Sequence, residues 1–254
     1  MRTLDDIYAA LCRLAPLELQ MDFDNAGFLV GRRKAEVHRV LLALDITDDV
    51  IAEAGELGAE LIVSHHPIIF HKLRSVTDAG PDTRVLHLIE NGIGAICMHT
   101  NLDIAAGGVN DVLIRLLGAS CEGPLDAYGC GRVGELSEEI SLQAFLAHCK
   151  SVLHANGLRY YDAGKPVKRL AVMGGAGADS LADVWEKGCD TYVTADIKYH
   201  QFQDAASMGI NLIDADHFST ENPVIPVLKD YLAQEFPDLD LSVSKRHRAI
   251  ISFF

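Results

Sequence analysis

Apolar residues recur along this chain in two alternating rhythms, one of helices and one of buried strands. Leu4, Ile7, Tyr8 and Leu11 fall at helical spacing behind Thr3, whose hydroxyl suits a helix N-cap. Residues 23–31 read as a turn leading into a strand. Residues 39–45 form a continuous apolar run, the signature of a strand covered on both faces in a parallel sheet. Thr47 and Gly58 bracket the next helix as cap and stop. Residues 61–63 give a second buried strand that runs straight into Ser64-His65-His66-Pro67. A helix from about Asp82 to Glu90 stops at Asn91-Gly92. Residues 93–98 form a third strand, ending in His99-Thr100-Asn101-Leu102-Asp103.

A glycine-rich stretch, residues 123–134, reads as a connection to a second block of the same kind. Its helices are predicted over 142–155, over 181–187 and up to Gly209. Its strands are predicted over 169–173, 191–194 and 211–213, the last leading into Asp214-Ala215-Asp216-His217. Pro223 belongs only in the first turn of a helix. The final long helix is therefore expected to begin near Thr220 and to run to about Glu235, with His217 in the preceding loop and Glu221 in the first turn. Residues 249–254 have strand character. Strands alternating with short helices predict an α/β fold with mixed or parallel sheets. The break in pattern divides it into an N-terminal α/β domain, 1–122, and a C-terminal one, 123–254.

Composition narrows the partners. At 254 residues, with 49% hydrophobic and 23% charged positions, the chain has the balance of a globular protein with a real core. A formal net charge of −14 argues against a nucleic-acid-binding surface, because phosphate neutralisation needs clustered Lys and Arg. The one basic run, Lys245-Arg246-His247-Arg248, reads as a solvated turn. Six cysteines without a C-x-x-C pair read as buried free thiols of a reducing compartment. Asp5 and Asp6 stand where a signal peptide would be apolar, and no apolar stretch is long enough to span a bilayer. The expectation is a cytoplasmic protein without membrane contact.

The chemistry gathers at strand ends, where open α/β sheets place their functional groups. His65 and His66 are adjacent, so on extended backbone they point apart and suit two ions better than one. Pro67 keeps His66 extended. Asp103 follows the third strand, where a cap or turn role explains it as readily as a ligand role. His217 and Glu221 follow the last strand of the second block, and a helix N-terminus by itself favours a carboxylate at Glu221. Three imidazoles and two carboxylates suit Zn, Mn, Fe, Co or Ni, and the absence of a thiolate argues against a closed structural zinc site. Five ligands shared by two divalent ions leave positions open, and a metal ion lowers the pKa of bound water to about 7. Gly174-Gly175-Ala176-Gly177 reads first as a tight turn and second as an anion cradle, lacking the last glycine of a dinucleotide fingerprint.

Several motifs together resemble the NIF-three-like dinuclear-metal hexameric family, whose bacterial members are often called GTP cyclohydrolase I type 2 homologues. They are Asp24-Asn25-Ala26-Gly27, Ser64-His65-His66-Pro67, His99-Thr100-Asn101-Leu102-Asp103, Thr194-Ala195-Asp196-Ile197-Lys198-Tyr199-His200 and His217-Phe218-Ser219-Thr220-Glu221, spread over nearly the whole chain. The resemblance implies that His65, His66, Asp103, His217 and Glu221 bind two metal ions per chain, with Glu221 bridging. It also implies two linked α/β domains with the metal site between them, and a ring-shaped homohexamer. It departs at Phe23, where the family usually has Trp, and at Asp196, where the family usually has Glu. The activity implied is metal-dependent hydrolysis of a small nucleotide or related heterocycle. His99 and His200 are the expected proton carriers, or else orient a ligand. The alternative is a non-enzymatic metal-binding scaffold that recruits protein partners.

Overall fold

The computed structural model describes residues 1–80 and 83–253. The chain runs α1 (Leu4–Leu14), β1 (Gly27–Val30), β2 (Arg39–Ala43), α2 (Asp48–Leu57), β3 (Leu61–Ser64), α3 (Thr83–Glu90), β4 (Gly94–Cys97) and α4 (Thr100–Ile104). It continues through α5 (Val109–Leu116), β5 (Ala119–Gly123), β6 (Arg132–Ile140), α6 (Leu142–Val152), β7 (Arg159–Tyr161), β8 (Val167–Val172), α7 (Leu181–Glu186) and β9 (Thr191–Thr194). It closes with α8 (Tyr199–Met208), β10 (Asn211–Asp214), α9 (His217–Glu221), α10 (Val224–Glu235) and β11 (Asp240–Val243). The expected start of α3 at Asp82 lies outside the described residues.

Two compact units emerge: Met1–Ala106 with Val224–Arg248, and Gly107–Pro223 with Ala249–Phe254. The sequence alone predicts one boundary at 122/123. The observed crossing comes earlier because α5 packs on β5, β6 and β8, and residues 224–248 return to the first unit because β11 pairs with β2.

In the first unit the strand order is β1-β4-β3-β2-β11. β4, β3, β2 and β11 run parallel, and β1 is antiparallel to β4 with Gly27 opposite Cys97. This arrangement decides where the chemistry falls. The carboxyl ends of four parallel strands lie along one edge, and the beginning of β1 joins them there. Leu41, Ile62, Ala95, Val50 and Leu88 are buried in the core between this sheet and helices α2 and α3. Local caps fix the helices. Thr3 Oγ1 accepts from the Asp6 N–H at 3.3 Å, and Asp6 accepts from the Thr3 N–H at 2.8 Å, a complete capping box on α1. Thr3→Ala is expected to cost about 1 kcal/mol, read as a lower urea midpoint at unchanged m-value. Thr47 and Gly58 bracket α2 as expected, with Gly58 at φ 65°.

In the second unit the order is β5-β6-β8-β9-β10-β7. β8, β9 and β10 are parallel, while β5, β6 and β7 pair antiparallel. Phe145, Leu113, Val172 and Ile213 are buried on one side of this sheet, and Tyr192, Val184 and Ala205 on the other.

Several expectations are corrected. The glycine-rich stretch contains strand: β5 ends at Gly123 and β6 begins at Arg132. Gly134 sits inside β6 because a Cβ there would fall 2.3 Å from the Ser120 carbonyl oxygen of the partner strand. β11 is a further strand, short and only half apolar, formed by its parallel register with β2. Residues 249–253 form no strand, and Phe254 lies outside the described residues. That tail is held irregularly: the Asn156 side chain donates to the Ile251 carbonyl at 2.8 Å, and Phe253 lies against Gly157. Instead of starting one late helix, Pro223 separates two, so His217 and Glu221 sit at the two ends of α9. No disulfide joins the six cysteines, and Cys121 is exposed rather than buried. Among the described residues no helix is long and apolar enough to cross a membrane.

Candidate metal centre

Each unit carries a group of imidazoles and carboxylates at the carboxyl ends of its parallel strands. In the first unit, β3 delivers His65 and His66, and β4 delivers His99 and then Asp103 within α4. One ring nitrogen from each of His65, His66 and His99 lies within 4.8 Å of the others. The His65 ring centroid is 5.0 Å from that of His66 and 5.2 Å from that of His99. His65 is fully buried.

The ring orientations are fixed from behind. His65 Nδ1–H donates to the Met98 carbonyl at 2.8 Å. A carbonyl can only accept, so the proton is on Nδ1 and Nε2 carries the lone pair. His66 Nδ1–H donates to Asp45 at 2.7 Å, and His99 Nδ1–H donates to Asp24 at 2.7 Å. Asp45 follows β2, the parallel neighbour of β3, and Asp24 precedes β1, the antiparallel neighbour of β4. Sheet order alone brings each acid beside its histidine. Burial works against both carboxylates, but hydrogen bonds outweigh it. His99 and Thr100 bring Asp24 down to about 2, and His247 and His66 hold Asp45 well below the usual carboxylate range.

His65 Nε2 and Asp103 Oδ1 lie 3.6 Å apart, beyond a good hydrogen bond. Two donors bonded at about 2.1 Å to one tetrahedral ion stand roughly 3.4 Å apart, so this spacing fits a shared metal.

The second unit repeats the design. α9 presents His217 and Glu221 on one face, with His217 Nε2 3.0 Å from Glu221 Oε2. His217 Nδ1–H donates to Asp196 at 2.8 Å. Asp196 comes from the loop after β9, in the left-handed region at φ 54°. The shorter Asp in place of Glu thus acts on a histidine ring rather than reaching outward. Asp214, ending β10, ties the two loops together: it accepts from the Ile197 N–H at 3.3 Å, from the Asp216 N–H at 3.3 Å and from Arg159. Asp216 caps α9 through the Ser219 N–H.

The turn after β8 closes the second group. Gly175 has φ 64°, and a Cβ on it would stand 2.1 Å from Glu221 Oε1 and 3.0 Å from His217 Nε2. The amides of Gly174, Gly175 and Gly177 donate to Asn110, Thr220 and Thr194. They are committed within the protein, so the turn is a close-approach device and not an anion cradle.

His200 falls elsewhere. It is exposed at the start of α8, lining a hollow of about 200 Å³ with Asp179, Gln201 and Asp204. Sequence reasoning missed the three orienting acids. Asp45 was visible as the polar end of a buried strand, but its pairing with His66 depends on strand order. His99 was seen, though not as a third member of the imidazole cluster.

The structure fits a divalent metal on its own observations: mixed nitrogen and oxygen donors, Nδ1 anchored on four rings, and one donor pair at ligand-to-ligand spacing. The family model for Duf34/NIF3 (NGG1p interacting factor 3) matches residues 2–249. A Clostridium perfringens protein named GTP cyclohydrolase 1 type 2 homolog is 36% identical, the match covering 98% of this chain and 99% of the relative. A Nostoc relative of the same name is 37% identical over 81% of this chain and 80% of its own. Among solved structures, Staphylococcus aureus protein SA1388 superposes with a TM-score of 0.90 at 28% identity, covering 100% of this chain and 99% of that one. Reduced HcgD from Methanocaldococcus jannaschii superposes with a TM-score of 0.85 at 30% identity, covering 96% and 98%. On these matches the chain belongs to the DUF34/NIF3 family.

Proposed function

We propose that the protein is a metal-dependent hydrolase of a small nucleotide or related heterocycle, with His65, His66, Asp103, His217 and Glu221 holding two divalent ions per chain. The observation that carries this reading is the uniform anchoring of His65, His66, His99 and His217. Each gives its Nδ1–H to an oxygen acceptor, which fixes the orientation of the ring. Structural histidines have no reason to share one tautomer, whereas metal ligands do. The name carried by the relatives, GTP cyclohydrolase 1 type 2 homolog, supports a nucleotide as substrate class. When bound, the ions supply Lewis acidity and an activated water.

The chain's own residues do the rest. Asp45, Asp24 and Asp196 hold the rings of His66, His99 and His217 in register. Burial of His65 and Glu221 excludes water and strengthens local electrostatics. His99, whose Nδ1 proton is held by Asp24, is placed to take a proton at Nε2. His200 is the alternative for that task, exposed at the start of α8. Five protein donors for two ions leave positions for a substrate, unlike a closed structural site. The homohexamer implied by resemblance belongs to the same reading and is tested by light scattering.

The experiment is turnover of GTP and a nucleotide panel by metal-reconstituted protein beside Glu221→Ala. A loss of at least about 100-fold is expected, the scale of removing one key electrostatic group. Equal turnover in the variant, or none in the wild type across the panel, contradicts the hydrolase reading. The family's description as an interacting factor favours the second reading, a metal scaffold for protein partners. Slow metal exchange together with absent turnover would select it.

A further inference from the structure

The basic run Lys245-Arg246-His247-Arg248 is an exposed bend as expected, except at His247, and its fixed position has a use. Glu53, on α2 and 8% exposed, receives the backbone N–H of Lys245 at 3.0 Å and that of Arg246 at 3.2 Å, together with the Ser244 hydroxyl. The His247 N–H donates to Ser244 Oγ at 3.1 Å. Arg246 pairs with Glu56 on the same helix. Four donors thus bind this turn to α2 and a fifth braces it internally, and they leave the His247 side chain 8% exposed. Its Nε2 lies 3.0 Å from Asp45 Oδ2, while Asp45 Oδ1 receives His66 Nδ1–H at 2.7 Å.

Topology explains the meeting. β11 runs parallel beside β2, with Val243 opposite Leu42, so the residues after each strand leave the sheet together. β3 lies on the other flank of β2. The order β11, β2, β3 therefore becomes His247, Asp45, His66 beyond the strand ends. A carboxylate bound through one oxygen can still swing about its terminal torsion. One bound through both oxygens by two anchored rings cannot.

We propose that His247 is a positioning residue for the metal centre: through Asp45 it locks the His66 ring so that Nε2 is presented to a metal ion. The inference rests on the metal-centre reading above and extends it to a residue outside the ligand set. It makes the β11 turn, more than 170 positions away in sequence, part of the centre's outer support. Such outer partners set metal affinity by about 10–100-fold.

The test uses the full chain and cobalt(II) as probe, because its visible bands report ligand number and geometry. His247→Phe keeps the ring volume without a donor. His247→Gln places an amide N–H where Nε2 stood. Wild type and His247→Gln are expected to bind cobalt(II) within about threefold of each other, and His247→Phe to bind one equivalent about 10–100-fold more weakly. In the metal-free proteins, nitrogen-15 shifts of the His66 ring are expected to show the Nδ1–H tautomer in wild type and His247→Gln, and a tautomer mixture in His247→Phe. A purely structural role would move neither signature. Should His247→Phe not fold, His247→Asn, whose amide stops short of Asp45, carries the same comparison. Wild-type affinity and tautomer in the donor-less variant would overturn the inference, as would equal losses in the Phe and Gln variants. If wild type itself binds no cobalt(II), the metal-centre reading and this inference fall together. If wild type binds it and His247→Phe matches, only the inference falls.

Discussion

Gly175→Ala is expected to strip metal from the His217 and Glu221 side while leaving the fold in place. A Cβ at this position would stand 2.1 Å from Glu221 Oε1, far inside any real contact, and 3.0 Å from His217 Nε2. Neither group can retreat easily. His217 is tied to Asp196, and the short helix that carries both is capped by Asp216. The backbone is also against the substitution, since Gly175 holds φ 64°, where an L side chain costs about 1–2 kcal/mol. That strain is small against the stability of a chain this size, so the loss falls on the ligands. Elemental analysis should show about one ion per chain or fewer, against about two in wild type. Circular dichroism should be unchanged. Full metal content in the variant would mean that His217 and Glu221 do not bind where the geometry puts them.

Asp24→Ala is expected to destabilise the metal-free protein by about 3 kcal/mol, through the loss of several hydrogen bonds to one charged group. The carboxylate accepts from His99 Nδ1 at 2.7 Å, from the Thr100 N–H at 3.0 Å and from the Thr100 hydroxyl. Removing it leaves the N-terminal turn of α4, and with it Asp103, without its anchor. The same residue sets an acid limit. Its folded pKa is lowered from 3.8 to about 2, against the pull of burial. A group depressed in this way stabilises the fold above its unfolded pKa and loses that stability as pH falls through about 4 to about 2. The difference is on the order of 2 kcal/mol, and solvent screening at a half-buried site brings the expected loss to about 1 kcal/mol. Urea melts between pH 6 and pH 2 should therefore fall more steeply in wild type than in Asp24→Ala. Parallel curves would mean that Asp24 carries no such shift.

What the sequence disclosed and what it hid divide along a physical line. α1 and α2 were legible because their caps, Thr3 with Asp6 and Thr47 with Gly58, lie within a few residues of the helices they bound. β2, β3 and β4 were legible because burial on both faces leaves an uninterrupted apolar run. β5, β6 and β11 were hidden because polar residues and glycine interrupt their apolar positions and only the partner strand makes them extended. The candidate site split in the same way. His65, His66, Asp103, His217 and Glu221 could be picked out, since each follows a recognisable strand. The acids behind them could not be assigned. Asp45 meets His66 across a parallel neighbour, Asp24 meets His99 across an antiparallel one, and Asp196 meets His217 between adjacent loops. Such pairings are properties of strand order, which no local window contains. Pro223 misled for a related reason: a helix breaker announces a boundary, but not whether a helix precedes it.

The most direct measurement is the metal content of the chain after purification without added metal and after reconstitution with Zn, Mn, Fe, Co or Ni, beside a His65→Ala/Glu221→Ala double variant. About two ions per wild-type chain, lost in the variant, is the result expected of a dinuclear centre. No bound metal under any of these conditions, or equal metal in the variant, would contradict it.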